Sequence, residues 1–488
     1  MRRIALLLSA ALLMSCSGSY GGPSSSDITG GDTFLELIED ARVAVRAGNL
    51  AEAGRYYDEA RELEPENPGL WVDIARLRFR GGEHLIAIEA ADYALELDPQ
   101  YAPALLLRAQ LVRDANGLAE SLVWFEAAAA ADPRNPEVLA DYAATLGDLG
   151  RYKDMLRVVR ELASFAPNYP QVHYLQAVLA ARAEDPVLAG TLLNRSGLSA
   201  QGVPSAMMLD AIVDLQQGSF DTAAETLEAL AQRQPGNIRV RELLARALWL
   251  GGRDRDLVDR FAARAQSSEA SPYLVLLVGR SLERMGERER AIPYLERAYA
   301  ARGNDMIVLE PSGAGPAATG ELRDFVRSGN SGAAQNLVGN LLQRAPFSGD
   351  IHSLAGDVAF AGGNPVRALE LYEVSAKVRR SWPLTRRLIA AFEAAGDERT
   401  AEALLVRYIA GDPQNTEALL LLAERSALAE DWLRASVMLD TAIAMGAGND
   451  LEVLALRARA ASERGREHEA ATFTALYREI KPVDFLSE

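Results

Sequence analysis

The stretch ARVAVRAGNLAEAGRYYDEARELEP, residues 41–65, decides the fold. It carries a small residue at Ala41, a glycine at Gly48, a second small residue at Ala53, an aromatic at Tyr57 and a proline at Pro65. These describe two short helices joined by a turn. Gly48 sits where the first helix must stop, because glycine adopts left-handed backbone angles without steric cost. Pro65 closes the second helix, since it lacks an N–H and clashes inside a helical turn. Small side chains at 41 and 53 let the two helices approach closely, and Tyr57 fills the space toward a neighbouring unit.

Working outward, the same pattern returns every 34 residues. Ala41 is followed by Ala75, Ala109, Ala143, Ala177, Ala211, Ala245 and Gly279. With Ala41 taken as position 8 of its repeat, position 20 holds Ala53, Ala87, Ser121, Met155, Ala189, Ala223, Leu257 and Ala291. Position 24 holds Tyr57, Ala91, Phe125, Val159, Leu193, Leu227, Phe261 and Leu295. Position 15 is Gly in six of the eight units, with Asn116 and Glu184 as departures. Position 32 is Pro65, Pro99, Pro133, Pro167 and Pro235, with Gln201, Glu269 and Gly303 elsewhere. A fixed period of this length marks a stack of helical hairpins, each in contact with its neighbours. No run alternates apolar and polar residues as a half-buried strand would.

The pattern resembles the tetratricopeptide repeat family, over residues 34 to about 482. The early tryptophan of that family stands only at Trp71, and its tyrosine at position 11 is missing from most units. The resemblance implies an all-α, right-handed superhelical solenoid of about thirteen repeats, whose inner groove binds a protein or peptide. After Gly303 the register breaks in a turn-rich stretch that includes Pro311, Gly313, Gly315, Pro316 and Gly320. The repeats then resume with Ala334, Val338 and Pro346, and close with Ala458, Gly465, Ala470 and Pro482. The expected organisation is a leader over 1–15, a tether over 16–33, eight repeats over 34–305, a linker over 306–320 and five repeats over 321–488.

The leader reading rests on Arg2 and Arg3 followed by the apolar run from Ile4 to Met14. That run is too short to span a bilayer, which needs roughly 20 apolar residues. It ends at Leu13-Met14-Ser15-Cys16, which resembles a bacterial lipobox, and Cys16 is the only cysteine in the chain. The implied product is a protein lipid-anchored through an acylated Cys16, with two or more acyl chains for stable attachment. The residues from Ser17 to Asp32 are rich in Ser and Gly, as a flexible tether would be. Ser17 rather than Asp after the cysteine points to the inner leaflet of the outer membrane, facing the periplasm.

Net charge is −17, which argues against nucleic acid as a partner, because affinity there comes from neutralising phosphates. No catalytic pattern emerges, so the chain is expected not to be an enzyme and to need no cofactor or metal. The four histidines, His84, His173, His352 and His468, lie outside metal-ligand spacing of one another and read as packing residues. The run at 313–320 lacks the Lys-Ser/Thr ending of a phosphate loop.

In the family the resemblance points to, the first helix of each hairpin lines the groove. Its outward positions here are Arg42, Arg46, Arg76, Phe79 and Arg80 near the start of the array, and Arg246, Trp249, Tyr273, Arg280 and Arg284 near the end of the first array. Arginine beside aromatics is the composition of interface hot spots, and guanidinium pairs bidentately with carboxylates. The groove residues therefore suit a partner segment carrying Asp or Glu. The competing reading pairs these arginines with acidic residues on adjacent helices. Three functions follow: a scaffold for assembly of an envelope machine such as a pilus, secretion, outer-membrane protein or polysaccharide-export system; a docking regulator of a peptidoglycan enzyme or envelope protease; and an enzyme with an unrecognised site near 306–320.

Overall fold

The computed structural model describes residues 31–267, 270–299, 318–448 and 450–481. Among the described residues every regular element is helical, and 26 α-helices form thirteen antiparallel hairpins. The first four hairpins pair α1 (Gly31–Ala47) with α2 (Leu50–Leu63), α3 (Pro68–Arg80) with α4 (His84–Leu97), α5 (Ala102–Asn116) with α6 (Leu118–Ala131), and α7 (Pro136–Asp148) with α8 (Tyr152–Phe165). The next four pair α9 (Pro170–Arg182) with α10 (Pro186–Ser196), α11 (Pro204–Gln217) with α12 (Phe220–Arg233), α13 (Ile238–Leu250) with α14 (Asp254–Ala265), and α15 (Pro272–Arg284) with α16 (Arg288–Tyr299). A second array follows: α17 (Thr319–Arg327) with α18 (Ser331–Arg344), α19 (Gly349–Ala361) with α20 (Pro365–Ala376), and α21 (Trp382–Ala394) with α22 (Glu398–Gly411). It ends with α23 (Thr416–Leu428) and α24 (Trp432–Ala442), then α25 (Leu451–Glu463) and α26 (Glu467–Ile480).

The repeat positions do what their chemistry requires. Every residue of the Ala41 series is buried, as are all eight residues at position 20 and all eight at position 24. Space is tight where position 8 is glycine. A Cβ on Gly279 would lie 2.6 Å from Leu295 Cδ2, and one on Gly356 would lie 2.4 Å from the Tyr372 ring. The turn at position 15 adopts positive φ at Gly48, Gly82, Gly150, Gly218, Gly252 and Gly286, and also at Glu184, whose φ is 61°. A side chain in that conformation costs about 1–2 kcal/mol. The prolines at position 32 lie just beyond the second helices. Two residues after three of these prolines, Asn67, Asn135 and Asn237 cap the next helix; Asn67 Oδ1 accepts from the N–H of Gly69 at 2.9 Å and of Leu70 at 3.3 Å.

Two boundaries differ from expectation. The first helix begins at Gly31, inside the stretch assigned to the tether, because Phe34 and Ile38 are already buried against the array. Thr319 and Gly320, assigned to the linker, open α17, which is held by the fully buried Leu322. The leader, Cys16 and residues 306–317 of the expected linker lie outside the described residues.

The two arrays meet edge to edge. The turns between hairpins of the second array sit on the turns within hairpins of the first. The Leu85 N–H donates to the Phe347 carbonyl at 3.4 Å, and the Arg380 N–H to the Asp114 carbonyl at 2.7 Å. The Gly349 N–H donates to His84 Nδ1 at 3.2 Å, and the Gln414 side-chain amide donates to the Asp148 carbonyl, pairs 265 and 266 residues apart. Each repeat along one array thus meets the next repeat along the other. Between them Gly117 and Gly411 touch: a Cβ on Gly117 would lie 3.2 Å from Gly411 Cα. Arg407 pairs with Glu120 at 2.7 Å beside that contact.

Substituting Gly279→Ala should destabilise the fold by roughly 1–3 kcal/mol through overpacking against Leu295. Glu184→Gly should stabilise it by roughly 1 kcal/mol, by relieving a left-handed side chain. Urea unfolding midpoints of the two variants should move in opposite directions.

Candidate binding surface

The inner wall is set by which helices touch across repeats. First helices of successive hairpins pack on one another, as α3 on α5, α7 on α9, α9 on α11 and α13 on α15. Second helices do not approach one another as closely among the described residues. The first helices therefore follow the shorter, inner arc, and their outward positions face the groove.

The structure sorts the groove arginines into two kinds. Arg42 pairs with Asp73 of the next repeat at 2.9 Å, and Arg46 with Glu39 at 2.8 Å. Arg280 pairs with Glu283 at 2.6 Å. Arg284 pairs with Asp254 at 2.6 Å, donates to the Trp249 carbonyl at 2.7 Å, and lies 4.7 Å above the Trp249 ring. These four follow the surface-pairing reading. Arg76, Arg80 and Arg246 have no ion-pair partner among the described residues.

At position 9 one offset separates Arg42 from Arg76 and Arg246. Position 9 of one repeat faces position 6 of the next, 31 residues on: Arg42 meets Asp73, and Gln110 donates to Asp141 at 2.7 Å. Arg76 and Arg246 occupy the same position 9, but the residues 31 further on are Leu107 and Leu277. No carboxylate stands at that position for either of them.

Two clusters result. In the first, Arg42, Arg76, Arg80 and Asp73 all act electrostatically on the Tyr57 hydroxyl. Burial raises the Tyr57 pKa above its ordinary value, with Asp73 adding to this and the three arginines opposing it. Glu137 is also held up by burial and pulled back by Arg76. Tyr57, Asp73 and Glu137 were not among the expected groove residues; the 31-residue offset would have found Asp73. Phe79 stands apart, packed on the His84 ring at 4.9 Å, toward the seam between the arrays.

In the second cluster Arg246 lies beside Tyr273, whose hydroxyl is pushed up by burial and drawn back by Arg246. Trp249 Nε1 is buried and has no hydrogen-bond partner among the described residues. A buried N–H of this kind calls for an acceptor. The cluster thus presents a cation, an indole donor and two aromatic faces on one wall.

Residues 39–102, 72–136, 210–271 and 319–383 each match the tetratricopeptide repeat family model. The chain is a tetratricopeptide repeat protein. Such repeats build surfaces for protein–protein contact, and their fold is generally a non-catalytic scaffold. No curated protein sequence matches the chain. Among solved structures, a tetratricopeptide repeat protein from Parabacteroides merdae is 19% identical, with 55% of this chain and 93% of that one covered and a TM-score of 0.28. PilF of Pseudomonas aeruginosa is 19% identical, with 48% and 93% covered and a TM-score of 0.32. A human IFIT1 dimer with m7Gppp-AAAA is 18% identical, with 70% and 80% covered and a TM-score of 0.39.

Among the described residues no group of His, Asp and Glu could hold a metal ion, and no helix is long and apolar enough to cross a membrane. Among the described carboxyl groups a strong electrostatic perturbation belongs to the seam. Burial lifts the Asp148 carboxyl to about 7; Arg113 and Arg182 oppose this, and Asp412 of the second array adds to it. His84 is pushed down by burial, with Asp350 opposing and Arg379 reinforcing the shift. Its Nδ1 accepts the Gly349 N–H, which requires the neutral ring at that nitrogen.

For Asp148 the folded value lies above the unfolded one of 3.8, so the unfolded chain ionises first. Stability should therefore fall as pH rises from about 4 to about 7 and level off above that. Asp148→Asn should remove this decline, gaining on the native chain by roughly 1–2 kcal/mol at pH 8 and by little at pH 4. Urea titrations at the two pH values give the check.

Proposed function

We propose that this protein is a lipid-anchored scaffold of the bacterial envelope, held by Cys16 on the inner leaflet of the outer membrane, that docks an acidic segment of a protein partner on its inner wall and serves assembly of an envelope machine. The observation that carries the docking half is the wall at Arg246, Trp249 and Tyr273. It sets an arginine without an ion-pair partner beside a buried indole N–H that has no acceptor among the described residues. A partner carboxylate would satisfy both groups, and its neighbouring apolar side chains would cover the rings. Arg76 and Arg80 extend the same chemistry at the other end of the first array. The anchoring half is supported by the sequence at Leu13-Met14-Ser15-Cys16.

Charge reversal at Arg76 and Arg246 should reduce partner recovery from envelope extracts by about tenfold or more, as loss of interface hot spots does. The same change at Arg160 and Arg255, exposed on the second helices α8 and α14, should leave recovery intact. Equal recovery from both double variants would refute the inner-wall site.

The anchor is tested separately. The native chain should take up a metabolic acyl label, and Cys16→Ala should abolish it and release the protein from the membrane fraction. A native chain that takes up no label would end the anchoring claim.

A further inference from the structure

The last helix ends against the inner wall of the first array. Arg280 Nη2 donates to the Ile480 carbonyl at 3.2 Å, bringing together residues 200 apart in sequence. Arg280 stands at position 9 of its repeat, as Arg246 does in the repeat before, so the end of α26 meets the second groove cluster at its edge.

Seven further residues follow Lys481 in the sequence: Pro482, Val483, Asp484, Phe485, Leu486, Ser487 and Glu488. They carry two carboxylates, an aromatic and two aliphatic side chains, and no cation. We propose that residues 482–488 occupy the wall formed by Arg246, Trp249 and Tyr273, so that the chain fills its own groove and an outside partner must displace it.

Reach permits it. Asp484 is four residue steps beyond Ile480, and an extended chain covers about 13–14 Å in that distance. Helices that pack on one another, as α13 and α15 do, lie roughly 8–10 Å apart. Asp484 can therefore cross from Arg280 to Arg246. Chemistry favours it as well: Asp484 supplies the carboxylate that Arg246 lacks at Leu277, and an oxygen acceptor for Trp249 Nε1. Phe485 and Leu486, next along, match the Trp249 and Tyr273 rings. Proline at 482 cannot continue a helix and favours extended backbone at the residue before it, which suits a tail that leaves α26 toward the wall. Tethering makes the contact intramolecular, with an effective concentration in the millimolar range for a short link. A modest intrinsic affinity then suffices to keep the groove filled.

The inference rests on the inner-wall reading above, and the experiment separates the two. A fluorescein-labelled peptide of residues 479–488 is titrated, by anisotropy, against the full chain and against a chain terminated after Lys481. The shortened chain should bind it at least tenfold more tightly than the full chain, whose groove is already filled. An Asp484→Lys peptide should lose this binding, a change that leaves the folded chain untouched. Arg246→Glu in the shortened chain should also lose it, with helical circular dichroism unchanged. The proposal is overturned if the peptide binds both chains equally, if it binds neither, or if the Asp484→Lys peptide binds as well as the native one. It is overturned equally if sedimentation shows that residues 482–488 instead hold two copies together. If the peptide result fails while charge reversal at Arg76 and Arg246 still strips the partner, the tail assignment falls alone. If the peptide binds as expected but partner recovery ignores that reversal, the partner assignment falls and the tail assignment stands.

Discussion

Close approach at position 8 is the constraint on which the rest depends. Ala41, Ala75 and their successors leave no room for a longer side chain between the two helices of a hairpin. At Gly279 and Gly356 even one methyl group would collide with the residue at position 24. Because the same residues meet at every step, each hairpin sits on the last with nearly the same offset. A repeated offset builds a curve, with the first helices crowded on the inside. The inner wall, the 31-residue pairing across it and the meeting of the arrays at their edges all inherit this one spacing.

Much of this architecture was legible in the sequence, and particular residues show why. Ala, Gly and Pro act locally, through steric bulk and backbone angle, so their positions can be read one repeat at a time. The left-handed turn at Gly48 recurs from Gly218 to Gly286 as the period requires. Glu184 and Glu430 take the same backbone angle without being glycine, so only the register identified the first of them and composition would have missed both. The start of α17 was misplaced because Thr319 and Gly320 look like turn residues, while the helix is decided by Leu322 burying itself against its neighbours.

The seam was not legible at all. Several of its contacts are made by backbone groups of turns and helix ends, such as Leu85 with Phe347 and Arg380 with Asp114. Backbone groups leave no signature in side-chain identity, and the partners lie hundreds of residues apart. The buried group formed by Tyr372, Asp357 and Arg387 escaped for a related reason. The Tyr372 hydroxyl donates to Asp357 Oδ1 at 2.7 Å and Arg387 lies 3.1 Å from the same oxygen, yet each residue alone reads as an ordinary helix position. The candidate site fell between these cases. The arginines were visible, but whether each was already neutralised depended on residues elsewhere in the array: the one 31 further on separates Arg42 from Arg76 and Arg246, while Arg284 pairs back to Asp254 of the repeat before.

The edge-to-edge seam also bears on how such a chain can change over evolutionary time. An open solenoid tolerates the gain or loss of whole units, since each unit answers only to its neighbours. Here a deleted unit in the first array would leave every hairpin well packed and shift the seam by one full step. Gly411 would then face some other turn than Gly117, and Arg407 would lose Glu120. The number of units is thereby made a selectable trait, guarded by a few specific pairs rather than by the repeating core. Duplication, the usual route by which repeat arrays lengthen, is open only beyond the last unit that the seam engages.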